Sequence, residues 1–131
     1  MSRKPETTFS RRIRDLKKLN KSYYFQSIES MTSKGIADLF TVIKGRSFWL
    51  ELKVNHGKKV SKNIGLSKYQ TAWQLLLIKH GGHCFNLLLV PSQRVVKTYR
   101  QEARGLRELA TYPDTEVGLC TALEDLAGLV E

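Results

Sequence analysis

The sequence predicts an α/β fold, a mixed β-sheet with α-helices on its faces. Three observations carry that prediction. Apolar residues at helical spacing open the chain, three runs with strand chemistry follow, and a capped helix separates these from two further strand-like runs. With 131 residues, 41% hydrophobic and 26% charged, the chain is long enough for one hydrophobic core and has the composition of a folded protein.

Phe9, Ile13, Leu16 and Leu19 are spaced as one helix face within residues 6–19, with arginines and lysines on the other faces. The aromatic run "YYFQSIE" at 23–29 reads as a first strand, and residues 38–53 as a hairpin. "NHGKKVSKNIG" has no hydrophobic period and is expected to be a mobile loop. Ser67 followed by Gln70 has the pattern of a capping box, and Tyr69, Ala72, Trp73 and Leu76 continue it at helical spacing up to "HGG". "HCFNLLLV" is then a buried strand, "PSQ" a turn, "RVVKTYR" a partner strand, and residues 101–111 a helix. Val117, Cys120, Leu123, Leu126, Ala127 and Val130 predict a last amphipathic helix over about 115–130.

The hairpin carries the chemistry. With Gly45 and Arg46 as a two-residue turn, Phe40 pairs with Glu51 and Asp38 with Lys53. Alternation then puts Asp38, Phe40, Trp49, Glu51 and Lys53 on one face and Leu39, Thr41, Ile43, Phe48, Leu50 and Leu52 on the other, which is the core. In this register Asp38 and Glu51 are diagonal neighbours about 7 Å apart, close enough to converge on one ion. Mg²⁺ prefers oxygen and takes one or two carboxylates with water and phosphate, and Lys53 adds a point charge for a phosphate or the attacking water. The other reading of the same spacing is an exposed Asp38–Lys53 pair beside an unrelated Glu51.

Charge favours a polyanionic partner. Residues 1–70 hold 16 Lys/Arg against 5 Asp/Glu, whereas residues 71–131 hold 6 against 7. Cys84 and Cys120 have neither disulfide-framework nor zinc spacing and read as reduced thiols, and His56, His80 and His83 share no metal spacing. There is no P-loop, GxGxxG or HExxH. No apolar run has the length of a membrane span and the basic start lacks a secretion signal's apolar core, so a cytoplasmic location is expected.

The set "ETTF", "SIE", "SKGIADLF", "FWLELK" and "LSKYQ" resembles the PD-(D/E)XK nuclease superfamily, and within it the VRR-NUC branch and phage-type Holliday junction resolvases. The resemblance implies a restriction-endonuclease-like fold and a single nuclease domain over residues 1–131, with its core at about 6–90 and a C-terminal helical segment at about 101–131. It implies an Mg²⁺- or Mn²⁺-dependent endodeoxyribonuclease in which Asp38, Glu51 and the Leu52 backbone carbonyl hold the metal and Lys53 assists. Two further residues match the family pattern. Glu6 is a candidate acidic group or a favourable first-turn acid, and Gln70 a candidate catalytic residue or a capping residue. Glu29 matches an acidic position ahead of the metal loop. Ala37 departs from the family's proline and leaves the backbone before Asp38 freer.

Arg11, Arg12, Arg14, Lys17, Lys18 and Lys21 of the first helix and the loop residues Lys58, Lys59 and Lys62 are the candidate phosphate contacts. The expected partner is branched DNA, cut by a homodimer as a junction resolvase cuts it, in a bacterial or phage-infected host cell. A flap or nicking nuclease and a non-catalytic DNA-binding module are the alternatives. The last helix is the candidate dimer surface, with packing on its own core as the other reading.

Overall fold

The computed structural model describes residues 5–28 and 34–130. Helix α1 spans Pro5–Asp15 and runs into a short 3₁₀ turn at Leu16–Lys18, after which β1 is Tyr24–Ser27, β2 Leu39–Ile43 and β3 Arg46–Val54. Helix α2 (Lys68–Lys79) leads to β4 (Cys84–Val90), a 3₁₀ turn at Pro91–Gln93, β5 (Val95–Glu102), β6 (Gly105–Pro113) and helix α3 (Glu116–Gly128).

Among the described residues six strands form one sheet in sequence order. Every neighbouring pair is antiparallel except β3–β4, which is parallel because α2 carries the chain back along the sheet. The α/β expectation holds at that level: a mixed sheet flanked by helices. Phe9 and Ile13 of α1 and Leu119, Leu123 and Leu126 of α3 pack against the Leu39, Leu50 and Leu52 face. On the opposite face Ile64 and Leu66 cover Leu88, Val90 and Tyr99, and α2 lies beside them. With both faces covered, all seven residues of β4 are buried.

Four expectations need correction. The hairpin turn is Lys44–Gly45, not Gly45–Arg46: both residues have positive φ, 54° and 77°, as a type I′ turn requires. Ile43 therefore pairs with Arg46, Phe40 with Trp49 and Leu39 with Leu50. Each partner moves by two residues, an even number, so every side chain keeps its predicted face.

Residues 101–111 are not a helix. Glu102 pairs with Gly105 across a two-residue turn, and β6 continues along β5 until Pro113 meets Val95. The helix-forming Ala, Arg, Glu and Leu residues favour helix by only about 0.1–0.7 kcal/mol each, less than pairing along an otherwise open strand edge. An irregularity at Thr98/Tyr99 also shifts the register and hides the strand period.

The last helix faces its core through Leu119, Ala122, Leu123 and Leu126, while Val117 is 77% exposed. Leu119, Leu123, Leu126 and Ala127 of its apolar stripe are covered by the chain's own core, and Val117 faces outward. The segment after β3 is not loose throughout. Asn55 Nδ2 donates to the carbonyls of Gly57 and Lys59, Ser92 Oγ donates to Gly57 O, and Ile64 and Leu66 are buried.

Candidate metal centre and basic surface

The corrected register changes the relation between the two carboxylates. Leu39 opposes Leu50, so Asp38, just before β2, lies beside Glu51 and is no longer set across from Lys53. Asp38 does not continue the β2 ladder. Its carboxylate Oδ2 accepts the Leu52 N–H at 2.8 Å, while its carbonyl accepts the Ile28 N–H at 3.0 Å. Trp49 and Asn55 send their N–H groups to the β4 side, so by alternation the N–H and C=O of Leu52 point toward the β2 side. There β2 has already ended, and the Asp38 carboxylate takes the place of a strand partner.

Gln70 closes the site from above. Its Oε1 accepts the Ser67 N–H at 2.9 Å, completing the capping box, and its Nε2 donates to Glu51 Oε2 at 3.3 Å. One amide thus completes the cap and also reaches Glu51, and the two bonds fix which end of it is oxygen.

Glu51 is 1% exposed, and among the described residues no donor reaches its Oε1. Burial, then the charge of Asp38 beside it, push its pKa up to about 9, with Lys53 opposing and Glu6 adding to the shift. Burial, and then the charges of Glu51 and Asp38, push the Cys84 thiol up. A buried carboxyl with a free oxygen beside a second carboxylate is costly without a cation and matched by one. Among the described residues no group of three or more His, Cys, Asp and Glu is placed to hold a metal. Two carboxylates and a backbone carbonyl fit a hard cation such as Mg²⁺, which needs no more protein ligands than that.

Neither a protein-family model nor a curated protein matches the chain.

The loop leading to Asp38 is set by a close approach. Gly35 has φ +90°, and a Cβ there would lie 2.3 Å from the Tyr69 carbonyl oxygen, so only glycine lets this loop rest on the first turn of α2. Ala37 is buried at 1% exposure. Glu6, at the start of α1, is close enough to act electrostatically on Glu51. Lys53 shares the Glu51 face and is half-buried. Glu29 lies outside the described residues.

The basic residues divide between two surfaces. Helix α1 packs on the Leu50 and Leu52 face, with its first-turn Glu6 within electrostatic reach of Glu51. Arg12 is paired with Asp114, Arg14 Nε donates to Ser10 O at 3.4 Å, Lys18 lies 3.7 Å from Asp15, and Lys17 rests over Tyr24. Arg11 and Lys21 are exposed. Lys58, Lys59 and Lys62 are exposed in the segment that follows β3, and Lys62 lines a cavity of about 430 Å³ with Thr71 and Arg104. Closer to the carboxylates, Lys34 and Lys68 each place Nζ 5.2 Å from the Tyr69 ring centre, next to Gln70.

Sequence reasoning missed Lys34, Lys68 and Arg104, which belong to no run of charge. It also missed Gln74 and Asn86, whose amides pair in the interior at 2.7 and 2.9 Å. The available signals were a lone Asn in the apolar strand "CFNLLLV" and a second Gln one helical turn after Gln70.

Proposed function

We propose that this chain is a metal-dependent DNA endonuclease of the restriction-endonuclease-like, PD-(D/E)XK type, hydrolysing phosphodiester bonds with a preference for branched DNA. The observation that carries the reading is the buried Glu51 carboxyl, raised to about 9, with one oxygen undonated and Asp38 beside it. Asp38, Glu51 and the Leu52 carbonyl would hold Mg²⁺ or Mn²⁺. When bound, such an ion offsets charge on the phosphodiester and lowers the pKa of water.

The chain's own residues supply the rest. Leu52 N–H orients the Asp38 carboxylate, and Gln70 orients Glu51. Lys53, on the same face, offers its ammonium to the phosphate oxygen or the attacking water. Lys34, Lys68 and the segment with Lys58, Lys59 and Lys62 would meet the flanking phosphates, which gives position without sequence reading. Paired cuts in a junction need two copies, which makes a homodimer part of the reading.

Cleavage of supercoiled plasmid, linear duplex, a flap and a four-way junction, with and without Mg²⁺, tests it against Asp38→Ala. Metal-dependent cutting of the junction that Asp38→Ala abolishes is the expected result. Equal cutting of linear duplex by a monomer turns the reading to a nicking nuclease, and preference for the flap to a flap nuclease. DNA binding without cutting in Mg²⁺ or Mn²⁺ leaves a binding module.

A further inference from the structure

Helix α2 meets the sheet through Trp73, which packs on Trp49, and through two glutamines. Along Lys68–Lys79 the buried side chain is Gln74, at 0% exposure, while Leu76 is 57% exposed. Gln74 Nε2 donates to Asn86 Oδ1 at 2.7 Å, and Asn86 Nδ2 donates to Gln74 Oε1 at 2.9 Å. Asn86 is also fully buried, and it is the register partner of Glu51 in the parallel β3–β4 pair. Gln74 stands one helical turn after Gln70, whose amide reaches Glu51. The helix therefore sets one amide over each of two adjacent strands, Gln70 over Glu51 and Gln74 over Asn86.

Packing alone does not call for this arrangement. A buried amide pair exchanges hydrogen bonds with water for hydrogen bonds within the protein at a small net gain, and apolar groups of the same shape do about as well. Two reciprocal, directional bonds provide what apolar contacts do not: one register along the strand and one rotation about the helix axis, both lost if the helix slides.

We infer that the Gln74–Asn86 pair is a positioning device that fixes the register of α2, so that Gln70 holds Glu51 Oε2 and Glu51 Oε1 is left to receive the cation; this rests on the metal-site reading above. Neither residue touches ion or substrate. Both act through Gln70, as partners outside a metal's ligands do when they orient those ligands.

The test replaces the pair by apolar residues of similar volume, Gln74→Met with Asn86→Leu, in the full chain. Two readouts are taken: exchange of the Gln70 side-chain amide protons by NMR in metal-free protein, and Mn²⁺ affinity by electron paramagnetic resonance. The variant is expected to fold, to exchange the Gln70 protons at least tenfold faster, and to bind Mn²⁺ about tenfold more weakly, the low end of what loss of an orienting partner costs. Swapping the pair, Gln74→Asn with Asn86→Gln, should recover part of both. If the double variant does not fold, Gln74→Met alone gives the same two readouts. Wild-type Gln70 exchange and Mn²⁺ affinity within twofold of wild type would make the pair a packing feature and overturn the inference. Absence of Mn²⁺ binding in the wild-type chain would instead remove the metal reading, and Gln70 exchange then decides the positioning role by itself.

Discussion

The Asp38 carboxylate accepts the backbone N–H of Leu52 at 2.8 Å, in the place where a residue of β2 would otherwise pair with β3. One carboxylate oxygen is thereby tied to the strand that carries Glu51. Asp38→Asn, with its amide oxygen toward Leu52, can keep this bond while losing charge, so the variant should fold with a melting temperature close to wild type. Metal-dependent cleavage should fall by at least a hundredfold while duplex binding persists. Near wild-type cutting by Asp38→Asn in Mg²⁺ would remove Asp38 from the site.

Glu51 yields a pH dependence with a definite sign. Its carboxyl is raised from 4.5 to about 9, so between those values the folded chain keeps a proton that the unfolded chain has released. The associated stability is fully present below about pH 4.5 and is lost as pH rises toward 9. Glu51→Gln, neutral throughout, should therefore melt like wild type near pH 5 and become progressively more stable than wild type as pH rises toward 9 without metal. Parallel melting curves for the two proteins across this range would show a solvated carboxyl.

Gly35→Ala tests the contact between the Asp38 loop and α2. The added carbon meets the Tyr69 carbonyl at 2.3 Å and the backbone must hold φ +90°. A loss of about 1–3 kcal/mol is expected from the backbone conformation alone. Denaturant melts measure it, and an unchanged midpoint would show that the loop does not rest on the helix.

Salt titration separates the two basic surfaces. Each phosphate contact contributes about 0.9 to the slope of log affinity against log salt on duplex DNA. Lys58→Ala with Lys59→Ala should flatten the slope by nearly two such contacts, and Lys34→Ala with Lys68→Ala likewise. Arg11→Ala with Lys21→Ala reports whether the first helix and the turn after it also meet phosphates, by flattening the slope in the same way. A larger loss from the helix pair than from either lysine pair would place DNA on the α1 surface.

Arg12→Ala should act on folding. Its partner Asp114 lies just ahead of α3, so the loss is that of a half-exposed ion pair, about 0–1 kcal/mol. Thermal melts at low and high salt check it, with the difference from wild type shrinking at high salt.

Much of this was legible because alternation and capping are local. The alternation along β3 that sets Glu51 and Lys53 apart from Leu50 and Leu52 follows from a period of two, and the Ser67–Gln70 box from a four-residue pattern. The hairpin register was not legible, because it depends on whether Lys44 or Arg46 flanks Gly45 in the turn, and Lys44 takes a positive φ that its residue type does not announce. Strand β6 was hidden by good helix formers whose long-range pairing with β5 no local window contains. Gln74 was hidden for a related reason: apolar spacing nominated Tyr69 and Leu76 for the sheet, whereas a partner on another strand, Asn86, selected the polar residue.

The chain has two tryptophans, and the structure sets them against each other, Trp49 on β3 and Trp73 on α2, with ring centroids 5.3 Å apart and planes at 81°. Indole rings at that separation are coupled chromophores. Their near-ultraviolet circular dichroism and fluorescence should change when α2 lifts from the strand that carries Glu51, which gives the native chain an optical signal for that motion with no dye attached.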